Sequence, residues 1–304
     1  MVVQSPMSDD TGESSHRPGT PASVPEHTTS REKVTFTGVQ QTMLATLYYR
    51  ALESRSPNPI LGDREAERAV ARIDHDFGRI TMRGKGAALV ALRGKSMDRW
   101  VEDFLDRHPE CVVLYLGCGL DTRVYRIDPP STVQWYDIDL PDVIELRRRL
   151  FPERANLHTV GMSVTDPHLL DTIPNDRPVL AVAEGLTMYL SPVDGIDLLR
   201  RITEHFPGGE IVFDACNRFG IWLMQQFPLV SATGAHVEWA IDDPRALEHA
   251  VPGLTLTTEW PFTDAPEVAR FPWLAQQLLR AWGRAPVLRR TIRLLRYRFG
   301  QRSG

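Results

Sequence analysis

The sequence predicts an α/β fold: a mostly parallel, seven-stranded sheet covered by helices on both faces. A helical extension precedes the sheet, and an insertion follows its fifth strand. Three observations carry this expectation. From Cys111 onward, short apolar runs alternate with helical segments. Several runs, such as "CVVLYL" and "PVLAVA", are apolar throughout rather than alternating, as strands buried on both faces are. The first of them breaks on Gly117 and Gly119, where a strand of an open parallel sheet ends beneath a ligand.

The chain has 304 residues, 42% hydrophobic and 24% charged, which suits one α/β domain with additions. Its net charge of −4 gives no reason to expect a nucleic-acid partner. The three cysteines, Cys111, Cys118 and Cys216, form no C-x-x-C pair, so neither a disulfide framework nor a metal site is expected. They read as reduced thiols, no apolar run is long enough to span a bilayer, and the N-terminus lacks a secretory signal. A soluble, cytoplasmic protein is expected, with no membrane partner.

Residues 1–33 are rich in Ser, Thr, Pro and acids and are expected to be disordered. Residues 34–304 are expected to form a single domain. Within it, 34–110 is a helical extension and 111–304 is a core with a lid-like insertion at about 217–250. In the extension, Met43, Leu44, Leu47 and Tyr48 recur at helical spacing, Asp63 can cap "REAERAVARI", and Met97, Val101, Phe104 and Leu105 form one stripe that Pro109 ends.

The core strands are "CVVLYL", "VQWYDI", "LHTVGM", "PVLAVA", "EIVFDA" and "LTLTTEW". Between them, "PDVIELRRRLF" and "SPVDGIDLLRRITEHF" read as helices, with Pro141 and Pro192 in the first turn and Ser191 as N-cap. No acid follows Glu267, so the arginine-rich "RAPVLRRTIRLLRYRFG" can be read as a basic amphipathic helix or as a last strand. The strand is favoured: it puts Leu295, Tyr297 and Phe299 on one face, and the sheet needs a closing edge.

The glycine turn and the second strand form one constellation. Asp139, which with Asp137 ends "VQWYDID", stands twenty-two positions after Gly117. A strand-end acid at that interval can accept hydrogen bonds from ribose hydroxyls, so a Rossmann-like half-sheet binding an adenosine-type cofactor is expected. The dinucleotide fingerprint wants a third glycine; here that place holds Thr122, and Asp121 lies in the turn. A carboxylate there repels pyrophosphate and tolerates a cation, which argues for S-adenosylmethionine over NAD(P). Glu184, emerging after the fourth strand, is expected to face the sulfonium and ammonium region. Arg93, placed ahead of the helix that leads to the first strand, is one of several arginines that could hold the cofactor carboxylate, though spacing alone favours a solvated surface charge.

The stretches "RHPECVVLYLGCGLDTRVYRI", "VQWYDIDLPDVIELRRRLFP" and "AEGLTMYL", with "LYYRALESRSPNPILGDREAERAV" and "IDHDFGRI" upstream, resemble the leucine carboxyl methyltransferase family. Within it they look closest to the bacterial polyketide O-methyltransferases of the tetracenomycin type. The resemblance covers roughly residues 40–260. It implies a class I methyltransferase fold, S-adenosylmethionine as cofactor and O-methylation of a small, polyketide-like acceptor. It also implies cofactor roles for Arg93 (with Asp98 matching the family's acid five residues on), Gly117, Gly119, Asp139 and Glu184. The family's adenine-contacting Asp-Leu falls on Ser163 and Val164, with Asp166 nearby, a departure from the pattern.

Methyl transfer requires the acceptor oxygen to be held in line with the carbon–sulfur bond. A carboxylate acceptor is already ionised and needs only orientation, for which Arg123 and Arg50 are candidates. A phenol of pKa about 10 gains from a base, for which His75, His236 and Tyr189 are candidates. The insertion "RFGIWLMQQFPLVSATGAHVEW" can serve as a lid over an aromatic substrate or as a packed helix.

Overall fold

In the computed structural model, described for residues 31–34, 39–79, 86–226 and 236–300, the seven strands of the main sheet fall on the expected apolar runs. They are β1 (Val112–Leu116), β2 (Gln134–Asp139), β3 (Leu157–Gly161), β4 (Val179–Ala183), β5 (Gly208–Cys216), β6 (Thr255–Pro261) and β7 (Ile292–Gly300). Their spatial order is β3-β2-β1-β4-β5-β7-β6. β1 through β5 pair in parallel, and β7 runs antiparallel to both of its neighbours. The strand order reverses between β1 and β4, which opens a crevice beyond their carboxyl ends.

Every residue of β1 and β4 is buried, as their unbroken apolarity requires. The period of two divides each strand between two layers. Val112, Leu114 and Leu116 pack with Leu198 and Ile202 of α6 (Pro192–His205). Val113 and Tyr115 pack with Met97, Val101 and Phe104 of α3 (Ala87–Arg107) and with Ile144 of α5 (Pro141–Leu150). Pro141 and Pro192 open their helices as expected, and the Ser191 hydroxyl accepts from the Asp194 N–H.

The extension covers the crevice. α1 (Val39–Ser54) and α2 (Arg64–Arg72) share a cluster with Leu120 beside the glycine turn and with Leu146 and Leu150 of α5. Asp63 caps α2 by accepting from the Ala66 N–H, as its position predicts.

Three expectations are corrected. Glu32–Lys33 pairs in parallel with Ile73–Asp74, so the last residues of the expected tail are ordered; residues 1–30 lie outside the described residues. β7 is a strand but not the closing edge. It pairs with β5 along all nine residues of both strands and carries β6 on its other side. Leu295, Tyr297 and Phe299 are buried on one face, while Arg296 on the other reaches Glu210 at 2.7 Å. Arg93 lies inside α3 rather than ahead of it, because the helix begins at Ala87. Of the insertion, 227–235 lies outside the described residues. Its remainder holds α7 (Arg218–Gln226) and α8 (Ala246–Ala250).

Candidate active site

Beyond Leu116 the chain turns through Gly117 and Gly119, both in the left-handed region at φ of +61° and +51°. A Cβ on Gly117 would meet only the flexible end of Leu186, which can shift, so it is the positive φ that calls for glycine. Two neighbours hold the turn from below. The Asp139 carboxylate, at the end of β2, accepts the Gly119 and Leu140 N–H groups, each at 2.7 Å. Arg147 of α5 donates to the carbonyls of Gly119 (2.9 Å) and Asp121 (2.7 Å) and pairs with Asp137. The two strand-end acids of β2 therefore divide the work: Asp137 braces Arg147, and Asp139 reaches the crevice. Burial raises the Asp139 carboxyl above its ordinary range, opposed by those two backbone N–H groups.

Glu184 follows β4. Arg93 donates to it through Nε at 2.9 Å and to Asp214 of β5 through Nη1 at 3.0 Å, which leaves Nη2 beside Gly185. Asp214 also accepts the Gly185 N–H at 2.7 Å. Arg50 of α1 lies 3.5 Å from Glu184, and Arg123 donates to it as well. Burial pushes the Glu184 carboxyl up, but the guanidinium groups of Arg93 and Arg123 outweigh it and hold the pKa at about 2.

These groups surround one cleft of about 680 Å³ at the carboxyl ends of β1, β2 and β4. Arg93, Gly117, Gly119, Asp121, Asp139, Ser163, Val164 and Glu184 all line it, as do Arg50 and Tyr189. Val164 is buried and apolar, and the Ser163 hydroxyl turns to Thr165 at 2.8 Å. The opposite wall is built from α1, α3 and the turn after β4, and includes Met43, Tyr49, Leu89, Val90 and Met188.

The family model for leucine carboxyl methyltransferase matches residues 43–203, a span that includes most of α1, all of α3, the glycine turn, Asp139 and Glu184. The chain belongs to the leucine carboxyl methyltransferase family. It is an S-adenosylmethionine-dependent O-methyltransferase. It is 46% identical to the tetracenomycin polyketide synthesis O-methyltransferase of Streptomyces glaucescens over 88% of this chain and 99% of that one. It is 37% identical to an S-adenosyl-L-methionine-dependent methyltransferase of Gibberella zeae over 83% of this chain and 92% of that one. Two solved structures share the fold. A Thermobifida fusca protein assigned as a methyltransferase superposes with a TM-score of 0.55 at 16% identity, covering 90% of this chain and 97% of its own. A DUF574-family protein of Streptomyces avermitilis superposes at 0.54 with 13% identity, covering 85% and 97%.

The residues of this methyltransferase fit its cofactor. The positive-φ turn brings bare backbone to the cleft, and Arg50 Nε is a buried donor with no hydrogen-bond partner among the described residues, suited to an anionic oxygen. Expectations for four residues change. Asp121 lines the cleft, but its oxygens take Tyr115 Oη (2.6 Å), Arg126 (2.8 Å) and Arg50 (2.9 Å). Burial raises its carboxyl, yet Arg126, Arg50 and Arg123 bring it well below the ordinary range. Its first task is therefore to bind the turn to α1 and to the short helix α4 (Arg123–Ile127). Arg123 is fully buried, held by Asp98 at 2.7 Å and by Glu184, with Tyr115 beneath its plane at 4.7 Å. It does not line the cleft and cannot orient a substrate. His75 packs edge-on against Phe77, and His236 is exposed; neither lines the cleft.

Sequence reasoning missed Asp214 as a site residue. The signal was present: "EIVFDA" places an acid near the carboxyl end of its strand, as "VQWYDID" does. Arg126, which bonds Asp63, Asp98 and Asp121, carried no signal, because its partners come from three separate segments.

Proposed function

We propose that this enzyme moves a methyl group from S-adenosylmethionine to an oxygen, preferably a carboxylate, of an aromatic, polyketide-like small molecule in the cytoplasm. The observation that carries this reading is the division of the cleft. A charged half at the ends of β1, β2 and β4 meets an apolar half built by Met43, Tyr49, Leu89, Val90 and Met188. The first suits a charged cofactor and the second an aromatic acceptor. The polyketide assignment draws on the relative from Streptomyces glaucescens. The three buried, unpaired cysteines fit a reducing compartment.

In this reading the Gly117–Gly119 backbone lies against the cofactor, Asp139 accepts from its ribose hydroxyls, and Ser163 and Val164 border its adenine. Arg93 meets its carboxylate, and Glu184 supplies negative charge toward its ammonium. When bound, the cofactor supplies an electrophilic methyl on a sulfonium. Beyond that, the protein's task is alignment. Tyr189 borders the acceptor half. Burial raises its phenol above the ordinary value, so it stays protonated near neutral pH and serves as a hydrogen-bond donor rather than a base. A neutral donor in place of a base suits an acceptor that arrives ionised, which favours a carboxylate over a phenol. Helix α7, with Met224 on the cleft wall, is placed to act as a lid.

Incubation with methyl-labelled cofactor and a panel of aromatic carboxylic acids and phenols tests this. Alkali-labile label, a methyl ester, is expected. Alkali-stable label would move the acceptor to a hydroxyl, and no transfer to any aromatic acid or phenol would remove the substrate class.

A further inference from the structure

Below the cleft lies a buried ion-pair network that local pairing does not balance. Arg50 meets Asp121 at 2.9 Å and Glu184 at 3.5 Å. Arg93 meets Glu184 at 2.9 Å and Asp214 at 3.0 Å. Arg123 meets Asp98 at 2.7 Å, Asp121 at 3.8 Å and also Glu184. Arg126 meets Asp63, Asp98 and Asp121 at 2.8–2.9 Å. Among the described residues, four guanidiniums thus face five carboxylates, and each of the five acids is at most 7% exposed. The acids come from five places in the chain: ahead of α2, α3, the glycine turn, the end of β4, and β5.

We propose that this network carries one uncompensated negative charge and uses it to favour the cationic methyl donor over the neutral product. The proposal rests on the reading that the cleft seats the cofactor. S-adenosylmethionine bears a sulfonium, an ammonium and a carboxylate, a net charge of +1. S-adenosylhomocysteine has lost the sulfonium charge and is neutral overall. That charge is the main electrostatic difference between the two ligands. A protein charge buried beyond the reach of counter-ions distinguishes them over several ångströms.

Among the described residues, other charges near the cleft do not cancel the imbalance. Arg147 is matched by Asp137, and Asp139 adds a further carboxylate held only by backbone N–H groups. Asp214 takes the Gly185 N–H on one oxygen and Arg93 on the other, the acceptor pattern of an ionised carboxylate. Asp63, Asp98 and Arg126 do not line the cleft. They act on the ligand only through the field and through the groups they hold, and so are positioning residues.

Calorimetric titration with both ligands tests the proposal. In Asp63→Asn the amide oxygen can keep the Ala66 cap while one negative charge is lost. The ratio of the S-adenosylhomocysteine Kd to the S-adenosylmethionine Kd is expected to fall roughly three- to tenfold. In Arg126→Gln the network becomes more negative, and the ratio is expected to rise by a similar factor. A merely structural role would weaken both ligands together; an unchanged ratio in both variants overturns the proposal. The wild-type protein gives a check that does not depend on variant folding. An S-adenosylhomocysteine analogue with a protonated amine in place of sulfur is expected to bind severalfold tighter than S-adenosylhomocysteine itself. Equal or weaker binding overturns the proposal. Failure of the wild type to bind either natural ligand would instead overturn the placement of the cofactor.

Discussion

Gly117 decides how closely a ligand can approach the end of β1. Its φ of +61° strains any other residue, whereas an added Cβ would meet only the flexible end of Leu186. Gly117→Ala is expected to cost about 1 kcal/mol of stability and to weaken S-adenosylhomocysteine binding at least tenfold. Calorimetry and urea unfolding on the same preparation check both parts; undiminished affinity would contradict the placement of the turn under the cofactor. At Glu184 the expectation concerns pH. Its folded-state pKa of about 2 lies below the ordinary 4.5, so the stability it contributes is complete above pH about 4.5 and is lost as pH falls through about 2. The stability gap between wild type and Glu184→Gln should therefore be constant from pH 7 to 5 and shrink at pH 3. Urea unfolding at the three values measures it, and shrinkage already between pH 7 and 5 would contradict the assignment. The identities of Gly117, Asp139 and Glu184 were legible because each closes an apolar run. The partners of Asp121 were not: Arg50 lies 71 residues away, and no local pattern links the two.

At the scale of elements, β7 is where sequence and structure part. Its alternation marked a strand, but apolar periodicity reports only which side chains are buried, not which strands are neighbours. A C-terminal strand could close an edge or enter between two earlier strands, and the choice depends on pairing with β5 and β6, far away in sequence. The interior placement has a mechanical consequence. Leu295 is fully buried between the sheet and the α6 layer, so Leu295→Ala is expected to cost about 2–5 kcal/mol. Arg298 is exposed and only 3.6 Å from Glu210, so Arg298→Ala is expected to cost under about 1 kcal/mol. Chemical denaturation distinguishes the two; a small cost at Leu295 would contradict the interior position. The placement of Arg93 was likewise obscured by local signals. Gly94 follows it and interrupts the helical pattern, yet α3 continues through both residues.

For the whole molecule, the extension and the core form one functional object. α1 and α3 lie outside the sheet, but they deliver Arg50 and Arg93 to acids at the ends of β4 and β5 and build much of the apolar wall opposite the glycine turn. The sheet and its turns were readable from composition and periodicity, because each strand and glycine is a local feature. The ion-pair network was not, since it exists only when six separate segments meet. The central claim is that this cleft is the S-adenosylmethionine site and that Arg93 holds the cofactor within it. Calorimetric titration of wild type and Arg93→Leu with S-adenosylhomocysteine tests this most directly. One-to-one binding is predicted for the wild type, with at least tenfold weaker binding in a variant that still melts cooperatively. No binding by the wild type, or undiminished binding by Arg93→Leu, would contradict it.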